Sequence, residues 1–167
     1  EGDIFWGLDV PTSRKIADKH ALIPRKDILK LLENKVHEVR LVGLFILVSQ
    51  YKKAKEDLNQ KLKADLVKFY LENTKHVNNW DLVDLSSHEI LGTYLLDKPR
   101  KILYTLARSK SIWERRVAVI STFTFLSEGE IMDTLALAEK LIGDKHDLMH
   151  KAVGWALREV GKKDEKA

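Results

Sequence analysis

The sequence contains no cysteine, which excludes disulfides and thiolate metal sites and fits a reducing compartment. It has only 3 prolines and 8 glycines among 167 residues. A turn-rich all-β fold needs more of both. Long hydrophobic runs are also missing. The longest, Leu41 to Val48, is too short to cross a bilayer. No signal-peptide pattern opens the chain, so a cytoplasmic protein with no membrane partner is expected. Charge of one sign is not dominant. Lys and Arg number 29 against 25 Asp and Glu, a net charge of +4, which is a mild bias toward anionic partners. No Gly-rich phosphate loop or Ser-His-Asp arrangement stands out.

What is present is helical pattern. Hydrophobic residues make up 44% and charged residues 32% of the chain, enough for one domain with a real core. Leu58, Leu62, Leu66 and Phe69 recur at helical spacing. So do Ile102, Leu103, Leu106 and Ala107, and Leu135, Ala138, Leu141 and Ile142. Breaks occur at Pro11, Pro24, Pro99 and Ser127-Glu128-Gly129. About eight to ten helices with short connections follow.

The pattern also repeats. Arg40-Leu41-Val42-Gly43 aligns with Asp81-Leu82-Val83-Asp84, Arg116-Val117-Ala118-Val119 and Lys151-Ala152-Val153-Gly154, at steps of 41, 35 and 35 residues. Such a period, made of helix pairs, predicts an all-α fold: an α-solenoid superhelix of HEAT-like helix pairs. One HEAT-like repeat domain over residues 1–167 is expected, lacking terminal helices. The second helix of each pair should start near Val36, Asn79, Ser111 and Asp147. Arg40, Asp81, Arg116 and Lys151 would then be equivalent, lining a concave face.

Tryptophans punctuate the same repeats. They stand in Trp80-Asp81-Leu82-Val83-Asp84, in Ile112-Trp113-Glu114-Arg115-Arg116, and in Lys151-Ala152-Val153-Gly154-Trp155-Ala156-Leu157-Arg158-Glu159. Aromatic faces beside a carboxylate and guanidiniums suit a cationic base on a phosphate backbone.

Those three segments, in this order and spacing, resemble the bacterial DNA alkylation repair family, the AlkD-type DNA glycosylases with HEAT-like repeats. The likeness runs from about Phe5 to Asp164, with Gly7 to Pro11 and Arg14-Lys15 as the less distinctive entry loop. The resemblance implies excision of cationic N-alkylated purines, such as 3-methyladenine and 7-methylguanine, from double-stranded DNA. It makes Asp84 the catalytic carboxylate and Trp80 and Trp155 the aromatic walls beside the lesion. Arg116 matches the arginine of the DNA-binding face and Arg158 a basic position of the last motif. Lys151, Arg115 and Arg40 are further candidates for phosphate. One segment departs from the family: Leu148-Met149-His150 stands where bulkier aromatic or apolar residues are usual.

The chemistry is coherent without the family. Alkylation at N3 or N7 puts positive charge on the purine and weakens the C1′–N bond. The base leaves neutral, so little general-acid help is needed. A fixed carboxylate near C1′ can stabilise an oxocarbenium-like sugar and position a water. No cofactor or metal is required, and a monomer suffices.

Each residue also has a plainer reading. Trp80 and Trp155 could be core aromatics, and Trp113 is expected to be packed. Asp84, which replaces Gly43, Val119 and Gly154 of the other repeats, could make a capping or interhelix contact. Asp81 is expected to bind a backbone amide near its helix start. Arg115 and Arg116 could pair with Glu114 or Asp84. His146 and His150, at i and i+4, could bind zinc only with further ligands, and no metal site is expected. Tyr51-Lys52-Lys53-Ala54-Lys55 reads as a solvated helix end. The alternative to an enzyme is a non-catalytic HEAT-repeat scaffold that binds nucleic acid or protein.

Overall fold

The structure, a computed structural model that describes residues 2–164, is all-α. No β-strand occurs among the described residues; the one β-type contact is an isolated bridge between Ile4 and Val36. The chain forms two compact units, Glu1–Asn78 and Asn79–Ala167.

The first unit holds α1 (Val10–Lys19), α2 (Arg25–Leu32), α3 (His37–Glu56) and α4 (Gln60–Glu72). Asp9 starts α1 by accepting the amide of Thr12 at 2.8 Å, with Pro11 in the first turn, where a missing N–H costs nothing. The central element is α3, buried on nearly all sides from His37 to Val48. Helices α1, α2 and α4 pack around it, which explains a sequence apolar all round rather than on one stripe. Gly43 lets α2 come close: a Cβ there would sit 3.0 Å from the Cβ of Leu31.

The expected apolar stripe from Leu58 to Phe69 is only half right. Asn59 caps α4 by accepting from Leu62 at 3.0 Å, so Leu58 lies outside the helix, with φ of 52° and 77% exposure. The buried face of α4 is instead Leu66, Val67 and Tyr70.

The second unit holds α5 (Trp80–Asp84), a π-helical turn His88–Gly92, α6 (Lys101–Leu106), α7 (Ile112–Ser121), α8 (Phe123–Ser127), α9 (Met132–Leu141) and α10 (Asp147–Lys163). Its centre is α7, buried continuously from Arg116 to Ser121. Helix α6 pairs with α7 and α9 with α10, while α7 lies against both α5 and α10. Successive helix pairs of this unit thus bury one another's faces. No helix of the described residues is long and apolar enough to cross a membrane.

The helix starts agree with the sequence reading, with caps at Val36, Asn79, Ser111 and His146. The register within them does not. Counted from the caps, the position of Arg40 is matched by Val83, Arg115 and His150, not by Asp81, Arg116 and Lys151. The local bonding agrees with the caps. Arg40 Nη1 donates to the carbonyls of Asn34 and Lys35 at 2.9 and 3.2 Å. Arg115 Nη1 donates to those of Ser109 and Lys110 at 3.0 and 3.1 Å. His150 Nε2 meets the carbonyl of Asp144 in the same way. In each case a side chain in the first full turn reaches back to tie the incoming loop.

Candidate functional site

Asn79 opens α5 by accepting the amide of Trp80 at 2.8 Å. Asp81 accepts the amide of Leu82 at 2.8 Å, the local backbone role expected for it. Leu82 and Val83 are fully buried and anchor this short helix. The anchoring leaves Trp80 52% exposed at its first residue. Asp84, four residues on, shares the face of Trp80.

Asp84 does not stand free. Its two carboxylate oxygens take a fork of donors from Arg116, Nε at 2.8 Å and Nη2 at 2.7 Å. The remaining nitrogen, Nη1, donates to the carbonyl of Leu148 at 2.5 Å. The side chains are 5% and 10% exposed, arginine and aspartate respectively. One guanidinium therefore joins α5, α7 and the first turn of α10. Bidentate Arg–carboxylate geometry is strong and directional. Removing one partner from a buried pair costs about 3–5 kcal/mol, because the other charge is stranded. Two of the roughly four lone-pair directions of the Asp84 carboxylate are taken.

Trp155 lies on α10, two turns beyond Leu148 on the same face. It is half-buried, packed edge-on with Phe123 at 4.5 Å between ring centres and 89° between planes. Its Nε1–H donates to Glu159 Oε1 at 3.2 Å. Phe123, Leu126, Ser127, Trp155, Glu159 and Lys163 line a groove of about 340 Å³. Neither Trp80 nor Asp84 lines it. Thus Asp84 and Arg116 are brought into contact, Trp80 and Asp84 share a helix face, and Trp155 belongs to its own aromatic groove. Trp113 is half-buried.

The candidate cations fall into two kinds. Lys151 and Arg158 are exposed, their side chains 67% accessible in both cases, and their neighbouring acids Asp147 and Glu159 lie 2.8 and 3.6 Å away. Arg115 and Arg40 are instead fastened to the protein. Arg115 grips Asp144 with Nε at 2.6 Å and Nη2 at 3.1 Å. Arg40 pairs with Asp3 at 2.8 Å and is 4% exposed. Burial alone would raise the Asp144 carboxyl, but Arg115 and the amide of His146 outweigh it and hold it low. His146 Nδ1 accepts the amide of Leu148 at 3.2 Å, so both histidines of that turn serve the helix start.

Three contacts escaped sequence reasoning. Glu38 is 5% exposed and accepts the amides of Trp6 at 3.0 Å and Gly7 at 2.8 Å, fixing the entry loop. Asp133 accepts from Arg100 at 2.7 Å and from the hydroxyl of Tyr104 at 2.6 Å. Glu159 holds the indole of Trp155. Only the last left a signal in the sequence, a carboxylate four residues beyond a tryptophan on one helix.

No curated protein and no solved structure in the comparisons matches the chain. A family model does, the one described as DNA alkylation repair enzyme, and it covers residues 1–167. The match spans the entire chain, including α5, α7 and α10 with the Asp84–Arg116 pair, and the chain belongs to the DNA alkylation repair enzyme family, with a role in DNA repair.

Proposed function

We propose that the chain is a DNA glycosylase that hydrolyses the N-glycosidic bond of cationic N-alkylated purines, 3-methyladenine and 7-methylguanine, in duplex DNA. The observation that carries this reading is a carboxylate, Asp84, clamped on both oxygens by Arg116 and four residues from an exposed tryptophan. A carboxylate held in one orientation beside an exposed aromatic face suits the stabilisation of developing positive charge.

In this reading the clamp gives Asp84 one orientation, so no reorganisation is needed as charge develops at C1′. Its remaining lone pairs stabilise the oxocarbenium-like sugar and orient the attacking water. Trp80, on the helix face of Asp84, offers a π-face to the positively charged base, and Trp155 offers one from its separate groove beside Phe123, an attraction of about 0.5–2 kcal/mol each that a neutral base lacks. Loss of the base removes its charge and hence the attraction. Lys151 and Arg158, exposed on α10, hold phosphates. Arg116 supports the carboxylate, while Arg40 and Arg115 support the helix starts.

The depth of the Asp84–Arg116 pair also favours a second reading, in which the pair only braces a non-catalytic scaffold for nucleic acid or protein. Release of methylated purines from alkylated duplex DNA separates the two. The glycosylase reading expects free 3-methyladenine or 7-methylguanine, and its loss in Asp84→Asn. The scaffold reading expects duplex binding with no base released.

A further inference from the structure

A half-buried tryptophan has two broad orientations about its outer side-chain torsion, which differ in where the indole N–H points. In Trp155 the indole N–H points at a carboxylate. Its Nε1–H donates to Oε1 of Glu159, one helical turn further along α10, at 3.2 Å. Phe123 stands perpendicular to the indole with 4.5 Å between ring centres. Glu159 is itself restrained, because Nζ of Lys162 donates to its two oxygens at 2.8 and 3.0 Å. The Lys162 hydrogen bond, against a smaller effect of burial, also holds the Glu159 carboxyl below its ordinary range, so the acceptor is ionised at neutral pH.

We propose that Glu159 is a positioning residue: it selects the ring orientation of Trp155 and so sets which aromatic face the groove beside Phe123 offers to the alkylated base. The proposal rests on the glycosylase reading for its consequence in excision. Its geometric content, one carboxylate fixing one indole, does not depend on that reading.

The test uses the full chain. The indole N–H resonance of Trp155 is assigned in ¹H–¹⁵N spectra by its disappearance in Trp155→Phe. Excision from alkylated duplex and affinity for that duplex are measured for Glu159→Ala, Glu159→Gln, Trp155→Ala and the Glu159→Ala/Trp155→Ala pair. Glu159→Ala is expected to shift the Trp155 resonance and lower excision about three- to tenfold, the scale of one lost hydrogen bond. Glu159→Gln keeps an acceptor at the same place and recovers most of both. Glu159→Ala adds no further loss once Trp155 is alanine.

An unmoved Trp155 resonance in Glu159→Ala overturns the proposal. So does an equal loss in the Trp155→Ala background, because Glu159 then acts through its neighbouring cations. If the wild-type chain releases no alkylpurine, the glycosylase reading fails. The resonance and the affinity cycle then still decide the positioning role, with coupling to Trp155 supporting it and additive effects contradicting it.

Discussion

Arg116 holds both carboxylate oxygens of Asp84, at 2.8 and 2.7 Å, and caps the arrangement by donating its third nitrogen to the carbonyl of Leu148. A DNA-facing arginine would leave its fork free for phosphate. This one is 4% exposed and aims the carboxylate instead. With its fork taken by Asp84, Arg116 is proposed to support the carboxylate, and the proposed phosphate contacts are assigned to exposed cations.

Lys151 and Arg158 are exposed on α10, as are Lys162 and Lys163 near its end. Lys151→Ala or Arg158→Ala should weaken binding to all duplexes alike and reduce the slope of log affinity against log salt by about 0.9. Arg115→Ala should instead lower the melting temperature, since Arg115 ties Asp144 and two loop carbonyls. Salt titrations of duplex binding and thermal melts check the contrast.

Trp80 is 52% exposed, so Trp80→Ala should leave stability within about 0.5 kcal/mol of wild type. Excision of a cationic lesion should fall about two- to thirtyfold, matching a lost cation–π contact of about 0.5–2 kcal/mol. Equal losses on neutral and cationic bases would contradict the assigned role.

The helix starts were legible because Asn79 and Ser111 are capping residue types placed just before apolar-periodic runs. The spacing of Trp80 and Asp84 was likewise enough to put them on one face. The repeat register was not legible. An apolar pattern of Leu, Val and Ala fits about as well when shifted by one residue, and the helix caps together with the back-bonds of Arg40, Arg115 and His150 fix the alignment. Sequence also left the partner of Arg116 open between Glu114 and Asp84. The choice depends on α5 lying against α7, a contact between residues more than thirty positions apart. Glu38 was invisible for a similar reason: its partners are amides of a loop, and amides carry no sequence signal.

Gly92 ends the π-helical turn His88–Gly92 where α7 and α8 meet. A Cβ there would fall 2.3 Å from the carbonyl oxygen of Ser121 and 2.5 Å from the Thr124 hydroxyl. Since backbone must shift, Gly92→Ala should destabilise the chain by about 1–3 kcal/mol. A chemical denaturation curve reads this directly, and an unchanged midpoint would mean the turn is free to relax.

Acid should loosen the first unit through Glu38. Burial alone would raise its carboxyl, but the amides of Trp6, of Glu38 itself and of Gly7 outweigh burial and lower it from 4.5. A folded-state value below the unfolded one contributes stability above about pH 4.5 that is lost as pH falls through the folded value. The melting temperature should therefore drop on acidification below that point. Glu38→Gln should melt lower than wild type at pH 7, by about 1–3 kcal/mol in stability, and fall less steeply in acid.

The most direct measurement is the single-turnover release of 7-methylguanine from alkylated duplex by the wild-type chain and by Asp84→Asn. Both are compared at a temperature where circular dichroism shows each folded, because asparagine can keep only part of the Arg116 clamp. The account expects duplex affinity to survive and excision to fall about 10²-fold or more, the scale of a key electrostatic group. Undiminished release by Asp84→Asn would contradict it and leave Asp84 as a brace for Arg116.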